Sequence, residues 1–368
     1  MKVMLGSEPQ MGTGTARRLR VLKRIVAAGV LVGIAYGILL HLVAYDGTLV
    51  SAVTGALIGA IHGLLISLAI GALEIFGIRT RLGQIVEGAP FVVTLGLKGT
   101  VYGAILAIVN VVEPGTRALG LSPAVGRAQI VAVIFSVLVA MAFIFVWQIS
   151  RIVGGRTLQN WVLGHYHRPR LEQRFFLFVD VVGSTPLAER LGPDAVHQFL
   201  NRVFLLASDP IDDHGGEIYQ YVGDEMVITW TEGNGAPGAR PLCCFAAIEA
   251  ALDKAAPEFA RLFGVAPRVR GALHAGSVIV GEVGGSKRDI VFHGDVMNTT
   301  ARIEQVAREL ERRLVVSADA MSRLAGADSY SVEDLGERAV RGRARPIQVY
   351  AVKAVTNMAG RDSPVASR

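Results

Sequence analysis

The chain has 368 residues, 51% of them apolar, a positive mean hydropathy and a formal charge of +6. Only two cysteines occur, adjacent at Cys243 and Cys244, which excludes a disulfide-stapled scaffold and fits a reducing compartment. Much of the positive charge lies beside hydrophobic segments, pointing to membrane topology and away from a nucleic-acid surface.

The hydrophobicity concentrates before about residue 150, so the chain divides into two parts of different solvent class. Residues 1–24 form a basic N-terminus. Within 25–150, apolar stretches at 25–45, 49–76, 91–112 and 130–149 approach or exceed the ~20 residues that a membrane-crossing helix needs. The first is long and runs at once into a second span, so it is not a cleavable signal peptide. Interior small residues, as in GALIGAIHG, suit close packing between helices. Arg17, Arg18, Arg20, Lys23 and Arg24 precede the first stretch, Arg79 and Arg81 follow the second, and Arg151 and Arg156 follow the fourth. An even number of spans with both termini in the cytoplasm satisfies this bias. The expectation is a multi-pass protein of the cell (inner) membrane with its soluble part cytoplasmic. Lys98, Glu74, His41 and His62 lie inside the stretches, where pairing or interhelical hydrogen bonding is the expected role.

Residues 151–174, basic and aromatic with Trp161, Tyr166 and Pro169, read as a linker helix along the membrane surface. His165 and His167 form an HxH without a further ligand nearby, which argues against a metal site. From 175 to 355 the texture is that of a globular domain, and 356–368 form a flexible tail. A buried strand ends at Asp180, and a helical pattern runs around 187–207. Two strands flank a tight Gly223-Asp224 turn, and a helix covers 244–263. Strands follow at 269–274 and 277–283, a helix starts near Val296, and a strand closes the domain at 349–352. This order predicts an α+β sheet with helices on one face.

An ionised Asp180 at the end of a buried strand needs a partner. If its strand pairs beside the Gly223-Asp224 hairpin, Asp180 and Asp224 meet at one sheet edge. Their repulsion calls for divalent cations, and oxygen-only ligation favours Mg2+ or Mn2+. The bend Gly183-Ser184-Thr185, with Pro186 in the first turn of a helix, makes a cradle for phosphates. In HGDVMNTTARIE, Asn298 and Arg302 stand four apart on one helix face, with Asp295 or a neighbour as cap.

Taken together, FxFxDxxGST, YVGDE, HxGxVxxGxxG and GDxxNxxAR, in this order from about Phe175 to Val352, resemble the class III nucleotidyl cyclase catalytic domain. The resemblance implies a ferredoxin-like α+β core that works as a head-to-tail homodimer on ATP, with two metal ions per active site. Asp180 and Asp224 match the metal-binding aspartates, and Val181 gives a backbone carbonyl. Asn298 and Arg302 match the transition-state pair that acts from the partner subunit. In VRGRARPIQVY, Arg341 or Arg343 stands where a lysine grips the terminal phosphates. The implied reaction is in-line attack of the ribose 3′-oxygen on the α-phosphate, with release of pyrophosphate. One departure concerns the base: Gln220 and Val291 occupy the positions of the base-reading pair. The expected function is therefore a membrane-anchored adenylate cyclase, with a guanylate cyclase or a catalytically silent nucleotide-binding module as the alternatives.

Overall fold

A computed structural model describes residues 13–44, 48–77, 89–118, 164–286, 288–327, 330–338 and 346–354, with isolated positions between 80 and 86 and between 137 and 154. The chain separates into two compact units, Met1–Gly154 and Gly155–Arg368.

In the first unit, α1 (Thr13–Ala44), α2 (Leu49–Phe76) and α3 (Phe91–Ala118) are the long helices. Thr48 starts α2, its Oγ1 accepting from the Ser51 N–H at 3.2 Å. Helices α1 and α2 run antiparallel along two glycine stripes: Gly33 faces Gly59, Gly37 faces Gly55, and Gly29 faces Gly63. A Cβ added at Gly33, Gly37, Gly55 or Gly59 would run into the backbone opposite. Small residues thus let two backbones touch, the packing that apolar surroundings reward. The outer surface stays apolar, with Leu31, Leu39 and Leu57 more than 60% exposed.

Among the described residues of this unit, His41, Glu74, Lys98 and Tyr102 have polar partners. His41 Nδ1 lies 3.1 Å from Ser51 Oγ across the α1–α2 seam. Lys98 of α3 donates to the buried Glu74 of α2 at 2.9 Å, and the Tyr102 hydroxyl donates to the other Glu74 oxygen. Two helices, Val21–Leu42 and Leu49–Phe76, are long and apolar enough to cross a membrane by length and composition. Of the third expected stretch, 91–112, the apolar helix Phe91–Leu106 lies within the described residues. Half of the fourth expected stretch, 130–149, lies outside the described residues.

The second unit begins its regular structure earlier than the sequence predicts. Strand β1 (Arg170–Val181) takes in the end of the expected linker helix. The remaining elements are α4 (Ser184–Leu191), α5 (Pro193–Asp213), β2 (Glu217–Val222), β3 (Glu225–Thr231), α6 (Arg240–Phe263), β4 (Val269–Val283), β5 (Asp289–His293), α7 (Asp295–Glu309), β6 (Leu314–Ser317), α8 (Ala318–Met321), β7 (Tyr330–Arg338) and β8 (Ile347–Ala354). Among the described residues one sheet runs β2-β3-β1-β4-β6-β8-β7, with β5 paired to the far end of β4. Its first four strands are antiparallel and α5 and α6 connect them, so the core is the expected ferredoxin-like α+β arrangement. Among the described strands only β4 and β6 pair in parallel, across the β5–α7 connection.

Two expectations are corrected. Residues 269–283 form one continuous strand, because Ala275 and Gly276 stay in register with Phe175 and Arg174 of β1. Helices also cover both faces. Phe175, Leu177, Val179 and Val181 point into a core roofed by α4, α5, α6 and α8, while Phe176 and Phe178 point into a second core under α7. The unbroken apolar run of β1 reflects this double burial.

The glycine stripes give the first prediction. Gly33→Leu should destabilise the α1–α2 pair by about 1–3 kcal/mol or more, since overpacking forces the helices apart. Gly96→Leu, whose Cβ meets nothing within 4 Å, should be neutral. Thermal unfolding of the full chain in detergent distinguishes the two, and equal melting of both variants refutes the close approach.

Candidate active site

Alternation along β1 decides where Asp180 goes. It follows Phe176 and Phe178 onto the α7 side of the sheet, where it is 6% exposed. The β1–β3 register sets it opposite Glu225, and the β1–β4 register opposite Arg270. The β2–β3 turn brings Asp224 beside it, with Gly223 at φ 63°, a conformation that costs glycine little. The Val181 N–H donates to the Asp224 carbonyl at 3.3 Å, which locks this turn to the end of β1.

The result is an acidic cluster. Burial, then the neighbouring Asp224 and Glu304 carboxylates, push Asp180 up to about 6, with Arg308 and Arg270 pulling the other way. Glu225 is pushed up to about 7 by burial and then by Glu304, Asp180 and Asp224. The Asp180 Oδ2 lies 3.4 Å from Arg308 Nη2 and 3.9 Å from Arg270 Nη1. Arg308 also donates to Glu304, one helical turn back on α7, at 2.7 Å. Gly183, left-handed at φ 78°, begins α4, and the next residue turns back into the cluster, where the Ser184 hydroxyl donates to Asp224 Oδ2. Thr185 is exposed.

Oxygen donors of this kind suit Mg2+ or Mn2+, and the raised carboxylates are what a divalent cation would relieve. Among the described residues no three His, Cys, Asp or Glu side chains gather into a complete metal centre. Asp180 and Asp224 therefore fit a cation that takes its remaining ligands from backbone, water or substrate phosphates, the usual habit of Mg2+.

The other sequence candidates lie apart from this cluster. Asn298 is exposed and Arg302 half-buried on α7, whose N-cap is Gly294, the neighbour of Asp295; Asp295 Oδ2 accepts from Thr299 at 3.3 Å. From Arg302 to Arg308 the helix rises roughly 9 Å and turns so that the two side chains diverge by roughly 120°. Among the described residues neither Asn298 nor Arg302 bonds to Asp180 or Asp224. Gln220 is exposed on edge strand β2 just after a bulge, and Val291 is half-buried on β5. Their neighbours Tyr219 and Phe292 meet edge to face at 4.6 Å, which ties β2 to β5. Arg341 and Arg343 lie outside the described residues.

His274, which opens the HxG motif, is buried with Nδ1 2.7 Å from Ser317 Oγ, and Ser317 caps α8. Its place is between strands β4 and β6, away from the carboxylates' strand ends. His167, from the HxH, pairs with Glu282 at 3.3 Å. Sequence reasoning missed Arg270, Glu304 and Arg308. The last two carried a signal, an i,i+4 acid–base pair, whereas Arg270 became visible only through strand register.

The family model described as "Adenylate and Guanylate cyclase catalytic domain" matches residues 168–354. Adenylate cyclase 2 of Rhizobium meliloti (strain 1021) is 37% identical over 57% of this chain and 58% of its own length. The adenylate cyclase of Anabaena cylindrica is 30% identical over 48% of this chain and 36% of its own. The chain thus spans less than two thirds of either relative. Among solved structures, a bacterial light-regulated adenylyl cyclase shares the fold at a TM-score of 0.51, with 23% identity over 59% of this chain and 64% of that one.

The cluster predicts its own stability profile. Asp180 titrates near 6 in the fold against an ordinary carboxylate value when unfolded, so the folded state holds its proton longer. Its ionisation therefore costs stability as pH rises through that window, and the full cost is present above it. In metal-free buffer at pH 8, Asp180→Asn should raise the melting temperature by about 2–4 °C, corresponding to roughly 1 kcal/mol. The gain should shrink as pH falls from 6 towards 4. A variant that melts lower than wild type at pH 8 in a chelator contradicts the repulsion.

Proposed function

Because this chain belongs to the adenylate and guanylate cyclase catalytic-domain family, we propose that it is a membrane-anchored adenylate cyclase, converting ATP to 3′,5′-cyclic AMP and pyrophosphate in a homodimer. The observation that carries this reading is the separation of Asp180 and Asp224 from Asn298 and Arg302 within one chain. A half-site with carboxylates and a half-site with an amide and a guanidinium complete one another when two copies meet head to tail. Two apolar helices, Val21–Leu42 and Leu49–Phe76, supply the anchor, and the basic flanks of the apolar stretches assign the catalytic unit to the cytoplasmic side.

Asp180, Asp224 and the Val181 carbonyl would hold the divalent cations. Bound there, Mg2+ or Mn2+ would lower the pKa of the ribose 3′-hydroxyl and neutralise the polyphosphate. Ser184 orients the Asp224 carboxylate through its hydroxyl bond, and the backbone at Gly183 to Thr185 opens α4 towards the phosphates. Asn298 of the second copy orients the ribose, and Arg302 beside it offsets the charge that develops on the α-phosphoryl group. Arg341 or Arg343 grips the terminal phosphates, where Arg offers a forked donor. The bulge before Gln220 re-aims that side chain at a strand edge, where its amide can both donate to adenine N1 and accept from its amino group, while Val291 packs against the ring.

Two experiments test this. Asp180→Ala and Arg302→Ala should each abolish cyclic AMP formation, and co-expression of the two should restore it, since one mixed site keeps both halves intact. Verified heterodimers without activity refute the shared site. For the base, kcat/KM should favour ATP with measurable GTP turnover, and Gln220→Glu should move the ratio towards GTP by about ten- to a hundredfold. A wild-type preference for GTP removes the adenylate assignment and leaves the cyclase chemistry in place.

A further inference from the structure

The Asp180 Oδ2 faces two guanidinium groups that differ in how they are held. Arg270 projects from β4, directly across the ladder from Asp180, and its side chain is 14% exposed. Arg308 reaches in from the last turn of α7 with its side chain 61% exposed, steered by the buried Glu304 one turn earlier. The remaining charged groups facing Asp180 are Asp224 from the β2–β3 turn, Glu225 from β3 and Glu304 from α7. Arg270 is built into the sheet. Arg308 is a solvent-reaching cation resting on a carboxylate that the cyclase reading assigns to metal.

We propose that Arg308 is the counter-cation that sets the metal affinity of this site: its guanidinium and a divalent cation compete for the Asp180 carboxylate. Two like charges cannot share one carboxylate oxygen without mutual repulsion, whereas the long, exposed Arg308 side chain can withdraw to Glu304 and water at little cost. Glu304 keeps the guanidinium close while Asp180 is otherwise engaged, so the competitor is tethered. The site then fills only at a metal concentration higher than its carboxylates alone would require. This inference rests on the assignment of Asp180 as a metal ligand. It goes further by giving a role to a residue outside the family motifs quoted above.

The test is Mn2+ binding to the full chain in detergent, read from the electron paramagnetic resonance signal of free Mn2+, with no nucleotide present. Arg308→Gln should bind Mn2+ about tenfold more tightly than wild type. Arg308→Lys, which keeps the charge, should return affinity most of the way to wild type, a recovery that a purely structural role for the arginine would not produce. Asp180→Asn should lose the competed site. If Arg308→Gln binds no more tightly than wild type while Asp180→Asn abolishes binding, the competition is refuted and the metal assignment stands. Unchanged binding in Asp180→Asn overturns the metal assignment, and the competition with it. Should Arg308→Gln fail to fold, Arg308→Lys and Arg308→Met carry the same comparison of charge kept against charge lost.

Discussion

Asp180 is a carboxylate at the end of a strand buried on both faces, and water does not compensate its charge. Every element that meets β1 at that end responds to this. β3 contributes Glu225, the neighbouring turn contributes Asp224, β4 contributes Arg270 and α7 contributes Glu304 with Arg308. Burial first, and then the excess of four carboxylates over two guanidinium groups, holds Asp180 and Glu225 above the ordinary carboxylate range. The fold tolerates this strain because β1 is held by full ladders on both sides, so the carboxylate cannot move away. A stored electrostatic cost of this kind is what a cation-dependent site uses.

The same strand period that buries Asp180 under α7 governs how the rest of that helix can serve. Side chains spaced by four share a face, so Glu304 and Arg308 serve the cluster while Asn298 and Arg302 face elsewhere. One helix thus presents two chemistries to two directions. In the proposed dimer of opposed copies, this arrangement would let a single chain supply both halves of a site without crowding them in one.

The membrane-like unit is organised by the opposite physics. Its long helices α1 and α2 meet through an absence of side chain, Gly33 against Gly59 and Gly37 against Gly55, and the Glu74 and Lys98 charges of α2 and α3 neutralise one another, with Tyr102 donating to the same carboxylate. In apolar surroundings both devices are effective, since backbone approach is rewarded by dispersion and an unpaired charge is costly.

Local pattern in the sequence was enough for the buried strand ending at Asp180, the Gly223-Asp224 turn, the helix carrying Asn298 and Arg302, and the small-residue stripes of α1 and α2. Each of these is a matter of period, turn chemistry or side-chain size within a few residues. The sequence also held the four ordered motifs, and with them the family. Strand register was beyond it, because pairing between residues ninety apart, such as Asp180 with Arg270, depends on which strands become neighbours. Strands β5, β6 and β7 went unread for the same reason: they are stabilised by the ladders they join and carry weak patterns of their own. Tertiary structure alone decided that helices cover both faces, that Ser184 bonds to Asp224, and that Arg308 shares Asp180 with Arg270. These are facts of convergence, and a one-dimensional pattern records which groups are available without recording where they meet.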